Sequence, residues 1–358
     1  MEFTLDDLLK EMVYEGGSDL HIRVGEPPFF RIHGHLTRTE KFPALSPQDA
    51  KELLYSILSE ERQKRFEKNL ELDLSYTIPD VARFRVNIFQ QRGNIGAVLR
   101  TIPIKIQTID ELVLPQVFKQ LAMLPRGFIL VTGPTGSGKS TTLAAMIEHI
   151  NTNKKGHIIT IEDPIEFVHT DKLCAINQRE IGVDAVSFAD ALKHVMRQNP
   201  DIILVGEMRD LETISAAITA AETGVLVFAT LHTNNAVQTI DRIIDVFPVE
   251  QQEQVRLQLS VNLQAIVSQT IVPRVDGKGR VVAFEIMIAI PAIRSLIREG
   301  KAHQMYTIIQ SSGGYGMRTL DSDLLELVKN NLVTYDEALA RSPNPKEFEQ
   351  RATRLQIV

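Results

Sequence analysis

The chain has 358 residues, 44% hydrophobic and 23% charged, with 39 Lys plus Arg against 45 Asp plus Glu for a formal net charge of −6. That length exceeds what one hydrophobic core usually serves, so two domains are expected, in a composition typical of a globular protein with no stretch near the roughly 18 apolar residues of a membrane span. The single cysteine, Cys174, excludes an intramolecular disulfide and a multi-cysteine zinc site; the acidic balance argues against broad nucleic-acid binding, and the acidic start Met1-Glu-Phe-Thr-Leu-Asp-Asp7 lacks a signal peptide's basic region, which points to the cytoplasm.

Leu20, Ile22 and Val24 alternate with His21 and Arg23, which predicts a strand with one buried face. Pro27-Pro28 ends it, and Phe30-Arg-Ile-His33 reads as a returning strand. Ser46 before Pro47 predicts a helix to about Leu58, capped by the serine hydroxyl. Glu60 to Arg65 is a charge run of mixed sign, most simply a solvated helix face. Phe84, Val86 and Ile88 alternate with Arg83, Arg85 and Asn87. After a turn through Gln90-Gln-Arg-Gly-Asn94 the chain resumes as strand at Gly96 to Arg100, so the pair reads as a hairpin. This half is a small α+β domain, residues 1–100. Residues 101–111, with Pro103 and no helical period, read as a linker, and Thr108-Ile-Asp-Glu111 as a capping box that starts the next helix.

From residue 112 the pattern is strand, helix, strand, helix. Phe128–Thr132, His157–Ile161, Ile202–Val205 and Val225–Thr230 are apolar runs of strand length with helices in the gaps, which predicts an α/β fold with a largely parallel sheet covered on both faces. From about residue 288 the chain reads as helical, with Gly300 stopping the helix that starts at Pro291 and a second capping box at Thr334-Tyr-Asp-Glu337. Pro343-Asn-Pro345 reads as the boundary of a separate terminal tail.

Gly133-Pro134-Thr135-Gly136-Ser137-Gly138-Lys139-Ser140 matches Walker A in full, between an apolar strand and a helix opening at Thr141. Glycines let backbone N–H groups curl around phosphates, and the helix presents its positive end to them. Lys139 supplies charge to the β- and γ-phosphates, and Ser140 is a Mg²⁺ ligand. ATP and Mg²⁺ are therefore the expected cofactors. Asp201-Ile-Ile-Leu-Val-Gly-Glu207 has the Walker B layout, with Gly206 at the usual metal-side Asp position, so Glu207 is left to orient the attacking water or a metal-bound one. Glu162 and Asp163 lie just past another strand end, and His232 follows a third, where parallel sheets bind ligands. The metal candidates are Ser140, Glu162 and Glu207, and His232 is a candidate γ-phosphate sensor. Arg85 and Arg100 on their strands read, from spacing alone, as solvated.

Walker A, the acidic box Thr160-Ile-Glu-Asp-Pro-Ile-Glu-Phe167, the Walker B end Gly206-Glu-Met-Arg-Asp210 and the histidine box Ala229-Thr-Leu-His-Thr-Asn234 together resemble the secretion ATPase superfamily. Within it they resemble the PilT/PilU branch of motors that retract type IV pili. Ser18-Asp-Leu-His21 and Ala292-Ile-Arg-Ser-Leu-Ile-Arg-Glu299 resemble segments of retraction motors, with Ser295 where the family more often has Asn. The resemblance implies a RecA-like P-loop ATPase core after a PAS-like N-terminal domain. It implies a homohexamer with nucleotide sites between protomers, ATP hydrolysis coupled to pilin extraction, docking on a pilus platform protein at the cytoplasmic face of the inner membrane, and in some systems a paralogous retraction ATPase. By the same resemblance Arg85, Arg100 and Arg197 become catalytic arginines that reach the nucleotide, beside Glu207, Glu162 and His232. Assembly and type II secretion motors carry a four-cysteine zinc subdomain, which one cysteine cannot form. The tail Ser342–Val358 is longer than in a compact retraction motor, a departure that fits the accessory paralogue.

Overall fold

A computed structural model describes residues 3–32, 34–79, 81–102, 105–277 and 279–357, so His33 of the returning strand, Pro103 of the linker and Val358 of the tail lie outside the described residues. The chain divides into two units, residues 1–105 with 164–168, and residues 106–163 with 169–358.

The first unit is built on an antiparallel sheet of β1 (Gly17–Ile22), β2 (Phe29–Ile32), β3 (His35–Arg38), β4 (Glu71–Ile78), β5 (Ala82–Gln91) and β6 (Asn94–Ile102), in the order β3-β2-β1-β6-β5-β4. Helices Leu5–Tyr14, Pro47–Tyr55 and Glu60–Asn69 contribute Leu8, Leu9, Leu53, Leu54 and Phe66 to one core with Leu20, Ile22, Phe84, Val86 and Ile88. The two-residue turn Arg92-Gly93 has φ of 51° and 75°, the twist that closes a tight hairpin. Phe66 is the one buried residue of helix Glu60–Asn69, as its mixed charges predict.

Alternation in β5 turns Arg85 outward, directly opposite Arg100 on β6. Two like charges at facing positions repel, and Asp19 offsets this by accepting from Arg100 Nε at 2.7 Å. Burial pushes Asp19 up, but hydrogen bonds from Ser18 and Arg100 outweigh it and hold the carboxyl below its ordinary value.

The second unit carries β7 (Gly127–Thr132), β8 (Gly156–Glu162), β9 (Cys174–Glu180), β10 (Ile202–Val205), β11 (Leu226–Leu231), β12 (Leu263–Pro273) and β13 (Arg280–Ile288), in the order β13-β12-β7-β11-β10-β8-β9. All neighbours run parallel except β12 and β13. Separate cores cover the two faces: Ile214, Ala217, Ile240 and Ile243 pack on one, Phe118, Met146 and Ile147 on the other. The four expected strands are present. The strands β9, β12 and β13 are not marked in the sequence pattern: β9 is an edge strand whose side chains past Cys174 are largely polar, and β12–β13 leaves the strand–helix alternation.

Two expectations are corrected here. The capping hydrogen bonds between Thr108 and Glu111 form, at 2.8 and 3.1 Å, but they close a turn rather than open a helix. Pro115 disfavours helix for Leu114, Val113 has φ of 54°, and the helix begins at Val117. The tail is not a separate segment. Pro345–Arg354 is a helix whose Phe348 and Ala352 are fully buried against Val272, Ala283, Leu324 and Val333.

Glu285 on β13 lies opposite Ser268 on β12, is 4% exposed, and its Oε1 accepts the Ala236 N–H at 2.7 Å. Burial pushes its carboxyl up to about 7, with the Ala236 N–H opposing and Asp321 reinforcing the shift. The unfolded chain ionises near 4.5, the folded one near 7, so this proton's contribution to stability is full below 4.5 and lost as pH rises through 7. The difference is about 3 kcal/mol. Thermal unfolding of Glu285→Gln should lack the wild type's loss of stability across that window; parallel pH curves for the two proteins would refute the assignment.

Candidate active site

The site is built at the carboxyl ends of β7, β11, β10 and β8. Walker A follows β7 directly, with Pro134, Thr135 and Gly136 exposed, Gly133 and Ser137 buried, and helix Lys139–Asn153 beginning after Gly138. Gly138 is the N-cap at φ of 89° and offers no side-chain cap, so the first-turn N–H groups face outward from the loop, the arrangement that receives phosphate. Ser140 and Thr141 occupy that first turn, both half-buried. Lys139 is 9% exposed and folds back on the loop, donating from Nζ to the carbonyls of Gly133 at 2.8 Å and Pro134 at 3.1 Å. An ammonium so placed needs oxygen acceptors, and phosphate oxygens fit where it points.

The chain of contacts continues through side chains far apart in sequence. Lys139 Nζ is 3.5 Å from His232 Nδ1, and His232 Nε2 is 2.9 Å from Glu207 Oε1. Glu207 accepts from Arg209 through Nε onto Oε1 and through the terminal nitrogen onto Oε2, each at 2.7 Å. Hydrogen bonds from Arg209 hold the Glu207 carboxyl below its ordinary value; burial opposes this, and His232 adds to the lowering. Glu207 is therefore a charged carboxylate with fixed direction, suited to orienting water through its oxygens rather than to storing a proton. Strand ends hold this group in place: Gly206 N–H donates to Ile161 O at 2.7 Å, and Thr230 Oγ1 donates to Gly206 O at 2.5 Å.

Gly206 now has a physical reason. A Cβ there would lie 3.1 Å from Ile161 O and 3.2 Å from Glu162 Cα, so the usual Asp would crowd the neighbouring backbone and require it to shift by a few tenths of an ångström. The neighbouring strand end supplies a carboxylate instead. Glu162 Oε1 accepts from Thr160 Oγ1 at 2.5 Å and from Gln178 Nε2 at 3.1 Å. Among the described residues no cluster of three or more His, Cys, Asp or Glu forms a metal cage. Mg²⁺ takes one or two protein oxygens and completes its shell with phosphate and water. Ser140 and Glu162 fit such a role, whereas Glu207 would first have to release Arg209.

The structure thus joins Lys139, His232 and Glu207 and places Glu162 one strand away. It does not bring Arg197 to them. Arg197 is exposed in the turn Met196–Gln198, which leads into β10 at its amino end, the edge opposite Walker A. Arg85 and Arg100 belong to the first unit, where they face each other. Arg209 and Thr160 lie inside motifs read from the sequence but carry no role there, and Gln178 lies outside those motifs. For Arg209 a signal existed: in extended chain, residues two apart share a side, which puts Arg209 beside Glu207.

A family model described as type II/IV secretion system protein matches residues 1–340. The chain is 52% identical over 344 residues to the type IV pilus retraction ATPase PilT of Pseudomonas aeruginosa, covering 96% of this chain and 99% of that protein. It is 44% identical over 348 residues to the type IV pilus ATPase PilU of the same bacterium, covering 97% and 90%. A solved structure of the pilus retraction motor PilT with bound ADP matches with a TM-score of 0.92 at 49% identity, covering 98% of this chain and all of that one. The parallel sheet, the Walker A turn and the whole-length match agree, and the chain belongs to the type II/IV secretion system ATPase family.

Proposed function

We propose that the chain is a Mg²⁺-dependent, homohexameric ATPase whose turnover powers type IV pilus retraction. The observation that carries this reading is the unbroken series Lys139–His232–Glu207–Arg209, which links the phosphate-binding turn to a charged carboxylate. Whole-length similarity to a retraction ATPase supports the pilus as its target. Lys139 leaves the loop carbonyls for the β- and γ-phosphates, and the Gly138 to Ser140 backbone holds them. Ser140 and Glu162 hold Mg²⁺, which when bound neutralises charge developing on the transferred phosphoryl group. Glu207 orients the attacking water, and His232, bonded to both Glu207 and Lys139, links the carboxylate to the γ-phosphate end. Arg85, Arg100 and Arg197 enter this proposal only as arginines that reach nucleotide in the assembled ring. No described helix is long and apolar enough to cross a membrane; in this reading the motor works in the cytoplasm, docked on a platform protein of the inner membrane. Identity of 52% to PilT against 44% to PilU favours the retraction motor over the accessory paralogue.

The test is pilus behaviour in a strain lacking this gene, complemented with wild type or Lys139→Ala. Pili that accumulate without retracting, and that only wild type rescues, are the expected result. Loss of all pili would assign the protein to assembly instead, and normal retraction with Lys139→Ala would refute ATP as its driver.

A further inference from the structure

Outside the family motifs, one residue touches the Walker A turn at several points. Gln269 on β12 is 3% exposed, and its Nε2 donates to Ser137 O at 2.6 Å. Only the amide nitrogen can satisfy a carbonyl, so the orientation of this side chain is fixed by chemistry. A Cβ at Gly138 would lie 3.3 Å from Gln269 Nε2, and a Cβ at Gly133 would lie 2.3 Å from Gln269 O. The residue therefore presses on both ends of the loop, and this close approach is one reason each end is glycine. Its neighbour Ser268 shares a buried hydrogen bond of 2.8 Å with Thr132, the last residue before the loop.

The peptide unit is planar and trans, so the Ser137 C=O and the Gly138 N–H point in opposite directions. Fixing the carbonyl against Gln269 therefore turns the Gly138 N–H away from the Gln269 amide. The same ribbon reaches the histidine box. Glu285, across the ladder from Ser268, accepts from Ala236, the first residue of the helix that follows the box. The ribbon is fastened from behind, since Phe284 N–H donates to Asp323 Oδ2 at 2.8 Å and Asp323 pairs with Arg318.

We propose that Gln269 is a positioning residue for nucleotide binding, which aims the Gly138 N–H at phosphate by holding the Ser137 carbonyl, while Glu285 on the same ribbon sets the distance from Walker A to the histidine box. This deepens the ATPase reading and rests on it. The two residues act on different steps. Gln269 shapes the seat that ground-state ATP occupies, so its loss raises KM. Glu285 sets the placement of His232 against Glu207, so its loss lowers kcat.

The experiment is steady-state ATP hydrolysis by the full-length protein. Gln269→Met keeps the side-chain volume and removes the donor; it should raise KM about tenfold, the scale of one lost hydrogen bond to a buried carbonyl, with kcat within about twofold. A loss of folded fraction would lower kcat and leave KM unchanged, the opposite pattern. Gln269→Glu supplies a second variant that decides the matter if the Met variant does not fold: ionised, it cannot donate, and protonated, it can. Its KM, divided by the wild-type KM at the same pH, should be raised where its carboxyl is ionised and fall toward one as pH is lowered. Glu285→Ala should lower kcat per folded molecule about tenfold with KM unchanged, the folded fraction being measured by circular dichroism, and Glu285→Gln, which still accepts from Ala236, should restore it; wild-type kcat per folded Glu285→Ala molecule would overturn this half of the proposal. A folded Gln269→Met protein with wild-type KM, or a folded Gln269→Glu protein with wild-type KM at a pH where its carboxyl is ionised, would overturn the proposal. If the wild type itself hydrolyses no ATP, the ATPase reading fails rather than this one.

Discussion

Glu207→Gln should bind ATP with near wild-type affinity and hydrolyse it about a hundredfold more slowly, or worse. The substitution is isosteric and keeps an oxygen for one of the two bonds that Arg209 makes, so the local fold has little reason to change. What it removes is the negative charge that Arg209 stabilises and that His232 contacts at 2.9 Å. An amide is a poorer acceptor for the protons of an attacking water, and it cannot stabilise the positive charge that builds on that water as the bond forms. Lys139 and the Walker A backbone are untouched, which is why binding and turnover separate. Binding of a fluorescent ATP analogue measured beside phosphate release makes the comparison directly. Turnover within about tenfold of wild type would remove Glu207 from the catalytic role and turn attention to Glu162.

Phe348→Ala should lower the stability of the second unit by about 3–5 kcal/mol, the cost of emptying a fully buried aromatic site. Phe348 is 0% exposed and packs with Val272 of β12, Ala283 of β13 and Leu324. For a unit of this size the loss corresponds to a fall of about 10 °C in Tm. Lys346→Ala on the same helix removes only an exposed side chain and should leave Tm unchanged. If the two variants unfold at the same temperature, the tail helix is not part of the cooperative unit. Because Phe348 covers the ribbon that carries Gln269 and Glu285, the terminal helix supports the nucleotide site from a distance, although no motif in it points there.

The fold was legible where its determinants are local. The strands of the parallel core announce themselves as unbroken apolar runs because both faces are covered. The hairpin of the first unit follows from alternation across a two-residue turn. The Thr108–Glu111 box shows the limit of such reasoning: the hydrogen bonds form as read, yet Pro115 and the left-handed Val113 stop the helix they would have opened. The strands β9, β12 and β13 escaped because polar side chains interrupt them and because β13 runs against the parallel pattern.

Walker A could be determined from the sequence alone, since its function depends on glycines, a lysine and a hydroxyl at fixed spacing in one continuous turn. The acidic and histidine boxes could be found, but not their roles. Lys139, Glu207 and His232 meet only because β11 lies between β7 and β10, and the order of strands in a parallel sheet cannot be read from equally apolar runs. Strand order also decided that a side chain at Gly206 would crowd the end of β8 and that Gln269 lies beside the phosphate-binding turn, while the parallel direction of β10 puts Arg197 at the opposite edge. Local geometry is written in neighbouring residues. The contacts that complete the site join residues 24 to 132 positions apart, and the packing of the whole sheet sets their distances.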